Sequence, residues 1–301
     1  MTETTSSIAV VIAWVNSFEL LAPGLRALAQ QTRRADEIII ATRRPESEHA
    51  QLREQFPRVT LIAAPPRTPI TTLRSIALAR AQSDIVCVTE DHCVPTETWL
   101  ATIARALERA DGLIVGGPVE NASTTRWRDW AAFLTEYAGA IQSAEPQTIA
   151  RGLPGNNVAY TRALVDDLRA TLARGLWESF YHDQLVARGI TLNYDSQMLV
   201  HHQRPFDFFY FIEQRFHFSR SFAAMRLQAR AGRGRIQYGI GSILLPPLLF
   251  LRGLMTLRRK KRFVARYLIC APLIAIYVTA GAFGEMLGYF FGGGNSLEKI
   301  E

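Results

Sequence analysis

The sequence predicts an α/β fold: a mostly parallel sheet with flanking helices, followed by C-terminal membrane helices. Three observations predict it. Strand-like and helix-like segments alternate with short links from residue 8 to about residue 115, as βαβ units do. The strand-like segments are near-continuous apolar runs rich in β-branched residues, the pattern of strands buried on both faces. The charge is also divided. Residues 1–200 carry 19 Arg, no Lys and 22 Asp plus Glu, whereas residues 201–301 carry 15 Lys plus Arg against 5 acids. The net charge of +7 therefore belongs to the C-terminal third. That third also holds the longest apolar runs.

The elements follow in order. Ile8–Val15 (IAVVIAWV) is the first buried strand, and Leu20 to Gln31 has helical spacing. Glu37–Ala41 is a second strand, Glu46 to Gln55 a polar helix, and Val59–Ala63 a third strand. Thr71 to Ala81 is helical with Thr71 as its cap. Asp84–Thr89 (DIVCVT) is the fourth strand. Thr96 to Ala110 is a helix with Thr96 as its cap and Glu97 in the first turn. A fifth strand begins at Leu113. The rhythm changes near Gly117. Beyond it, Gly152 to Asn157 is a turn leading to the apolar Val158–Tyr160, and Arg162 to Arg174 and Leu176 to Arg188 are helices. Leu192 to His202 is extended, and Phe206 to Met225 is an aromatic helix carrying Arg215, His217 and Arg220.

Composition excludes several classes. At 48% hydrophobic the chain is not disordered. Three scattered cysteines, Cys87, Cys93 and Cys270, do not make a disulfide scaffold and fit a reducing compartment. No P-loop, G-x-G-x-x-G, H-E-x-x-H or C-x-x-C motif is present. The basic C-terminal third contains ILLPPLLFL at 243–251 and YLICAPLIAIYVTAGAFG at 267–284. A nucleic-acid arm has no use for such runs, so the expected partner of the charge is a membrane and not nucleic acid. Asn121-Ala122-Ser123 matches a glycosylation triplet, discounted because MTETTSS is no secretory leader.

Open parallel sheets bind ligands beyond the carboxyl ends of their strands. The fourth strand ends in Glu90-Asp91-His92, three consecutive metal-competent side chains. Carboxylate and imidazole together suit Mn²⁺ or Mg²⁺. The plain alternative is a solvated strand end followed by a helix cap. The string TEDHCVPTETWL resembles the DXD region of family-two glycosyltransferases of the GT-A fold. Other segments resemble that family in order: Val10 to Asn16 with Glu19, Gln31-Thr32 through Glu37-Ile38-Ile39, and Arg74 before Ile76. Gly116-Gly117, Gly155-Asn156-Asn157-Val158-Ala159, and Val200-His201-His202 before Pro205 complete the set. Together they cover about residues 8–225.

The resemblance implies a reaction. A nucleotide-diphosphate sugar binds at the sheet's carboxyl edge, with a divalent metal at the DXD residues. A carboxylate deprotonates an acceptor hydroxyl, which attacks the anomeric carbon with inversion. Carried onto this chain, it gives Glu90, His92 and His202 as metal ligands. Trp14, Asn16, Glu19, Arg74, Asp91 and Asn156 become donor contacts. The chain departs from the family in having Glu-Asp-His for Asp-x-Asp and Ala41-Thr42-Arg43-Arg44 for an acidic cluster. The usual Glu-Asp catalytic pair is replaced by Glu178-Ser179-Phe180-Tyr181-His182-Asp183. Glu178, His182 and Asp183 are thus the base candidates, Glu178 ahead of Asp183. Glu178 and His182 share a helix face, so that one orients the other or the two form an exposed i,i+4 pair.

The expected organisation is a GT-A catalytic domain at 1–205, an amphipathic interface helix and linker at 206–235, and a membrane-associated segment at 236–301. Tyr267–Gly284 is the expected spanning helix. Gly239–Leu257, broken by Pro246-Pro247, is expected to be interfacial or re-entrant. The cluster Arg258–Arg262 then stays with the catalytic domain on the cytoplasmic side. The expected function is hexosyl transfer from a nucleotide-diphosphate sugar to a lipid-linked or cell-envelope glycan acceptor. The alternative is a non-catalytic, membrane-tethered GT-A-like scaffold, and a nucleotidyltransferase is a third possibility.

Overall fold

The computed structural model describes residues 6–108, 112–144, 148–150 and 152–301. In chain order the first elements are β1 (Ile8–Trp14), α1 (Phe18–Ala29), β2 (Glu37–Thr42), α2 (Glu46–Gln55), β3 (Thr60–Ala63) and α3 (Ile70–Arg80). Then come β4 (Ile85–Glu90), β5 (Cys93–Pro95), α4 (Trp99–Leu107), β6 (Ile114–Gly116), β7 (Val119–Asn121) and α5 (Trp127–Tyr137). Next are β8 (Asn157–Thr161), α6 (Arg162–Asp167), α7 (Arg169–Leu172), α8 (Glu178–Ala187), β9 (Asn193–Tyr194) and β10 (Val200–His202). The last are α9 (Phe208–Ala229), α10 (Arg235–Gly241), α11 (Leu245–Lys260), α12 (Val264–Ile269) and α13 (Ala271–Phe291).

The chain divides into two compact units, Met1–Glu120 with Pro146–Gln203, and Asn121–Glu145 with Arg204–Glu301. The first unit holds a seven-stranded sheet in the order β3-β2-β1-β4-β8-β6-β9. β1 pairs in parallel with β2 and with β4, and β2 with β3. β8 runs antiparallel to both β4 and β6. Every residue of β1 is buried, as its unbroken apolar run requires of a central strand with helices on both faces. A small sheet, β5-β10-β7, lies beside the main one.

Several local expectations change. Thr71 does not cap α3; the helix begins after Pro69, and Thr71 is buried within its first turn. Proline's fixed φ prepares a helix start without a side-chain cap. Thr96 does not cap α4, which follows Thr98; its hydroxyl donates to the Leu199 carbonyl. Ala110 lies outside the described residues. The helix expected over 162–174 breaks at Leu168 into two short pieces.

In the second unit α9 and α13 lie side by side. Gly281 faces Ser219, Gly284 the Phe216 carbonyl, and Gly288 the Arg220 carbonyl and Ala223. A methyl group at 284 or 288 would overlap α9 backbone, so glycine sets the approach of the two helices. α5, which sequence spacing did not reveal, also belongs to this unit. Its Asp129 carboxylate accepts the Phe206 N–H at 2.8 Å and holds Arg126. Lys260, in the basic cluster, is buried and donates to the Ile141 carbonyl. Two helical stretches, Arg235–Lys260 and Ala271–Phe291, are long and apolar enough to cross a membrane.

Gly284→Ala should push α9 from α13 and destabilise this unit by about 1–3 kcal/mol. Thermal melts of purified full-length protein in detergent read the loss; an unchanged midpoint would mean the helices do not meet there.

Candidate active site

The site is assembled where the sheet order reverses direction around β1. β2 lies on one side of β1 and β4 on the other, so the carboxyl ends of β1 and β4 flank a crevice suited to a ligand. Ala13 and Glu90 are partners across these strands. The chain beyond each strand therefore meets the other's.

Asp91 makes that meeting. It is buried, and its Oδ2 accepts the backbone N–H groups of Val15 and Asn16, each at 2.8 Å. Its Oδ1 accepts from the Asn16 amide at 2.9 Å and lies 2.8 Å from His92 Nδ1. Burial alone would raise its pKa, but the hydrogen bonds and the imidazole charge outweigh burial and hold the carboxyl below its usual range.

With Nδ1 on Asp91, the His92 ring directs Nε2 at Glu90 Oε2, 3.3 Å away. Burial opposes charge on this ring, yet the hydrogen bonds and charges of both carboxylates raise its pKa to about 9. The His202 ring packs edge-on against it, with centroids 4.5 Å apart. β10 delivers His202 by pairing antiparallel with β5, which sets it opposite Cys93.

Arg74 joins the two ends of the site. From α3 its Nη2 pairs with Glu90 Oε1, and its Nη1 holds Glu178 Oε2 at 3.0 Å. One planar guanidinium thus bridges the carboxylate ending β4 and the carboxylate opening α8, a geometry lysine could not reproduce. Burial works against the charge on Glu90, but the His92 hydrogen bond and the Arg74 charge keep its carboxyl far below the usual range.

Sequence spacing missed two supports of this bridge. The Trp177 ring centroid lies 6.0 Å from the Arg74 guanidinium carbon. Gly155 makes room for the Glu178 carboxylate, which a Cβ there would overlap. The Gly-Asn-Asn turn was visible; its service to a side chain 23 residues later was not.

The remaining expected residues separate. His182 does not orient Glu178. It is buried, 2.7 Å from the Tyr160 hydroxyl, and burial lowers its pKa to about 4, so it stays neutral at pH 7. The shared helix face sets two side chains in the same general direction, but packing decides which neighbour each one meets. Asp183 is exposed on α8 and has no hydrogen bond or ion pair among the described residues. Trp14, expected at the donor, is wholly buried with its ring near Phe18 and His49. Glu19 is exposed, and a hydrogen bond from Ser17 lowers its pKa. Asn16 is committed to Asp91. Asn156 is buried with its amide 3.6 Å from Cys93 Sγ. Its neighbour Asn157 accepts from Trp99 Nε1 and donates to the Pro118 and Met198 carbonyls.

The donor set suits a divalent cation. Ligand atoms of Glu90, His92 and Cys93 lie within 4.8 Å of one another. Asp91 fixes the His92 ring through Nδ1 in the carboxylate–histidine arrangement that orients metal-binding imidazoles, and a cation at Nε2 would displace the proton that the two carboxylates favour there. Burial pushes the Cys93 thiol well up, which keeps it protonated and makes it the weakest of the three donors.

The family model for glycosyl transferase family 2 matches residues 9–169. No curated protein sequence matches the chain. Among solved structures, the mannosyltransferase PcManGT from Pyrobaculum calidifontis, in complex with GDP-Man and Mn²⁺, is similar at TM-score 0.53 and 15% identity. The match covers 97% of this chain and 86% of that one. S. aureus TarS 1-349 in complex with UDP is similar at TM-score 0.50 and 12% identity, covering 93% and 90%. GalNAc-T7 with UDP, GalNAc and Mn²⁺ follows at TM-score 0.49 and 12% identity. It is matched over 68% of this chain, and this chain spans 45% of that one. At these identities the likeness is one of fold, an α/β GT-A architecture.

Asp91→Asn sets an amide donor against a cluster of donors and should cost about 3 kcal/mol or more. Because the folded carboxyl is lowered, its contribution is full above the unfolded value of about 3.9 and is lost as pH falls through the folded one. Urea midpoints should therefore differ most near pH 7 and draw together as pH falls below about 3.9. Equal midpoints at pH 7 would remove Asp91 from this role.

Proposed function

The chain belongs to glycosyl transferase family 2, matched over more than half its length, and on that premise we propose that it transfers a hexosyl group from a nucleotide-diphosphate sugar to a hydroxyl of a lipid-linked or cell-envelope glycan acceptor. The observation that carries this reading is the Glu90–Arg74–Glu178 bridge at the carboxyl edge of the sheet. It sets a cation-competent carboxylate and a base-competent carboxylate on one guanidinium.

Glu90, His92 and His202 are the proposed metal ligands, and the Mn²⁺ of the GDP-Man-bound PcManGT supports the choice of cation. Bound there, a divalent ion supplies charge stabilisation to a departing diphosphate. Asp91 holds the His92 ring in place and fixes Asn16 just beyond the end of β1. Arg74 offers a second positive group to a diphosphate. Glu178 is the proposed general base, taking the proton from the acceptor hydroxyl as that oxygen attacks the anomeric carbon with inversion. Arg74 orients this carboxylate, and Gly155 gives it space. His182 and Asp183 have no such partners and are assigned no chemical role.

The acceptor assignment and membrane association rest on the two apolar helical stretches. The basic cluster at 258–262 supports a cytoplasmic catalytic unit. A second reading, a non-catalytic donor-binding scaffold, is favoured by one observation: Glu90, Asp91 and His92 already satisfy one another and Arg74.

Radiolabelled sugar transfer from UDP- and GDP-sugars to membrane extracts, with Mn²⁺, separates the readings. Transfer should occur, cease with EDTA, and fall about 10²- to 10⁴-fold in Glu178→Gln, while thermal stabilisation by nucleotide with Mn²⁺ persists in that variant. Stabilisation without any transfer supports the scaffold. Full activity of Glu178→Gln would exclude Glu178 as the base.

A further inference from the structure

We propose that the second unit holds a membrane surface through one in-plane helical stretch, α10 to α11, and that none of its helices crosses the bilayer. This deepens the membrane association proposed above and rests on it.

α13 is the more apolar in sequence over its whole length, but it does not travel alone. The contacts of Gly281, Gly284 and Gly288 bind it along α9. α9 carries Glu213, Arg215, Arg220 and Arg226, and Arg226 reaches across to Glu285 of α13 at 3.4 Å. A bilayer crossed by α13 would also enclose that row of charges. Arg220 donates to the Gly292 carbonyl at 3.0 Å, which ties it further to the end of α13. α13 is thus the core helix of this unit, its buried face formed by Ile274, Tyr277, Val278 and the glycines.

The stretch α10–α11 is built differently. Its inner face packs within the unit through Gly239, set against Phe290, and Gly253, set against Tyr267. Its outer face exposes Ile236, Ile240, Ile243, Leu248, Leu251 and Met255, with Ile236 and Ile243 each 67% exposed. Those positions recur at helical spacing and form one stripe. Between Arg235 and Arg252 lie 16 uncharged residues. At 1.5 Å each they extend about 24 Å, short of a hydrocarbon core of about 30 Å.

Charge identifies the occupant of the stripe. Residues 230–262 contain nine Lys plus Arg and no Asp or Glu. Arg230, Arg233 and Arg235 are exposed at one end, and Arg258, Arg259 and Lys261 at the other. A spanning helix would send these two groups to opposite sides. An in-plane helix sets both in the headgroup layer, where anionic lipid neutralises them while the apolar stripe enters the acyl boundary. A second protein copy would bring the same positive charge against itself.

The test uses the full chain and vesicles of phosphatidylcholine with or without phosphatidylglycerol. Ile240→Cys, Leu248→Cys and Met255→Cys are spin-labelled singly; Cys87, Cys93 and Cys270 are buried. The protein should sediment with anionic vesicles at least tenfold more tightly than with neutral ones. The three labels should lie at one shallow depth. Ile243→Glu with Leu248→Glu should abolish sedimentation while the circular dichroism spectrum and melt persist. Leu248→Cys lying far deeper than the other two would overturn the in-plane arrangement and leave membrane association standing. Sedimentation with neither vesicle would overturn both. Labels buried without lipid in a concentration-dependent dimer would assign the stripe to a second copy.

Discussion

The buried carboxylate of Asp91 is the constraint on which the site depends. A carboxylate in that position is tolerated only when its lone pairs are met, and all its partners come from loops that would otherwise be free. Two backbone N–H groups fix where the chain leaves β1. The Asn16 amide closes the turn, and His92 is held by the remaining contact. Once the imidazole is aligned, Glu90 has one oxygen on it and the other on Arg74. Arg74 then reaches Glu178. The order of dependence runs from a structural anion at the switch between strands to the two groups that chemistry would use.

Much of this organisation was written in local pattern. The apolar runs of β1, β2 and β4 read as strands covered on both faces, and the structure buries all of β1, residues 39–42 of β2 and residues 85–89 of β4. The triplet at residues 90–92 was legible as a candidate, because ligands of such a sheet bind beyond the carboxyl ends of its strands. What spacing could not convey was partnership. Asp91 occupies the variable place of the motif, and its partners lie 75 and 76 residues earlier. The relation of Glu178 to His182 was correct as helix geometry, but the neighbours differ: Arg74 comes from α3, and Tyr160 from β8. β5 was invisible because three residues carry no period, and it exists because β10 returns to pair with it.

Hydropathy also could not distinguish two uses of apolar sequence. α13 and α10–α11 both pass a length-and-composition test for a membrane span, yet 44% of the apolar window is buried inside the protein in the first and 11% in the second. Glycine placement separates them. In α13 it lines the seam with a charged companion helix, whereas in the other stretch a few glycines seat the inner face and leave the isoleucines and leucines outward.

The discontinuous second unit imposes an order on biosynthesis. α5 leaves the ribosome about 130 residues before α13, the helix against which it packs. At about 5–20 residues per second, its apolar face, Trp130, Phe133 and Leu134, waits roughly ten seconds for that companion. During that interval the sheet of the first unit can close around an unfinished excursion. The apolar face of α5 therefore completes its packing only after α13 has been made.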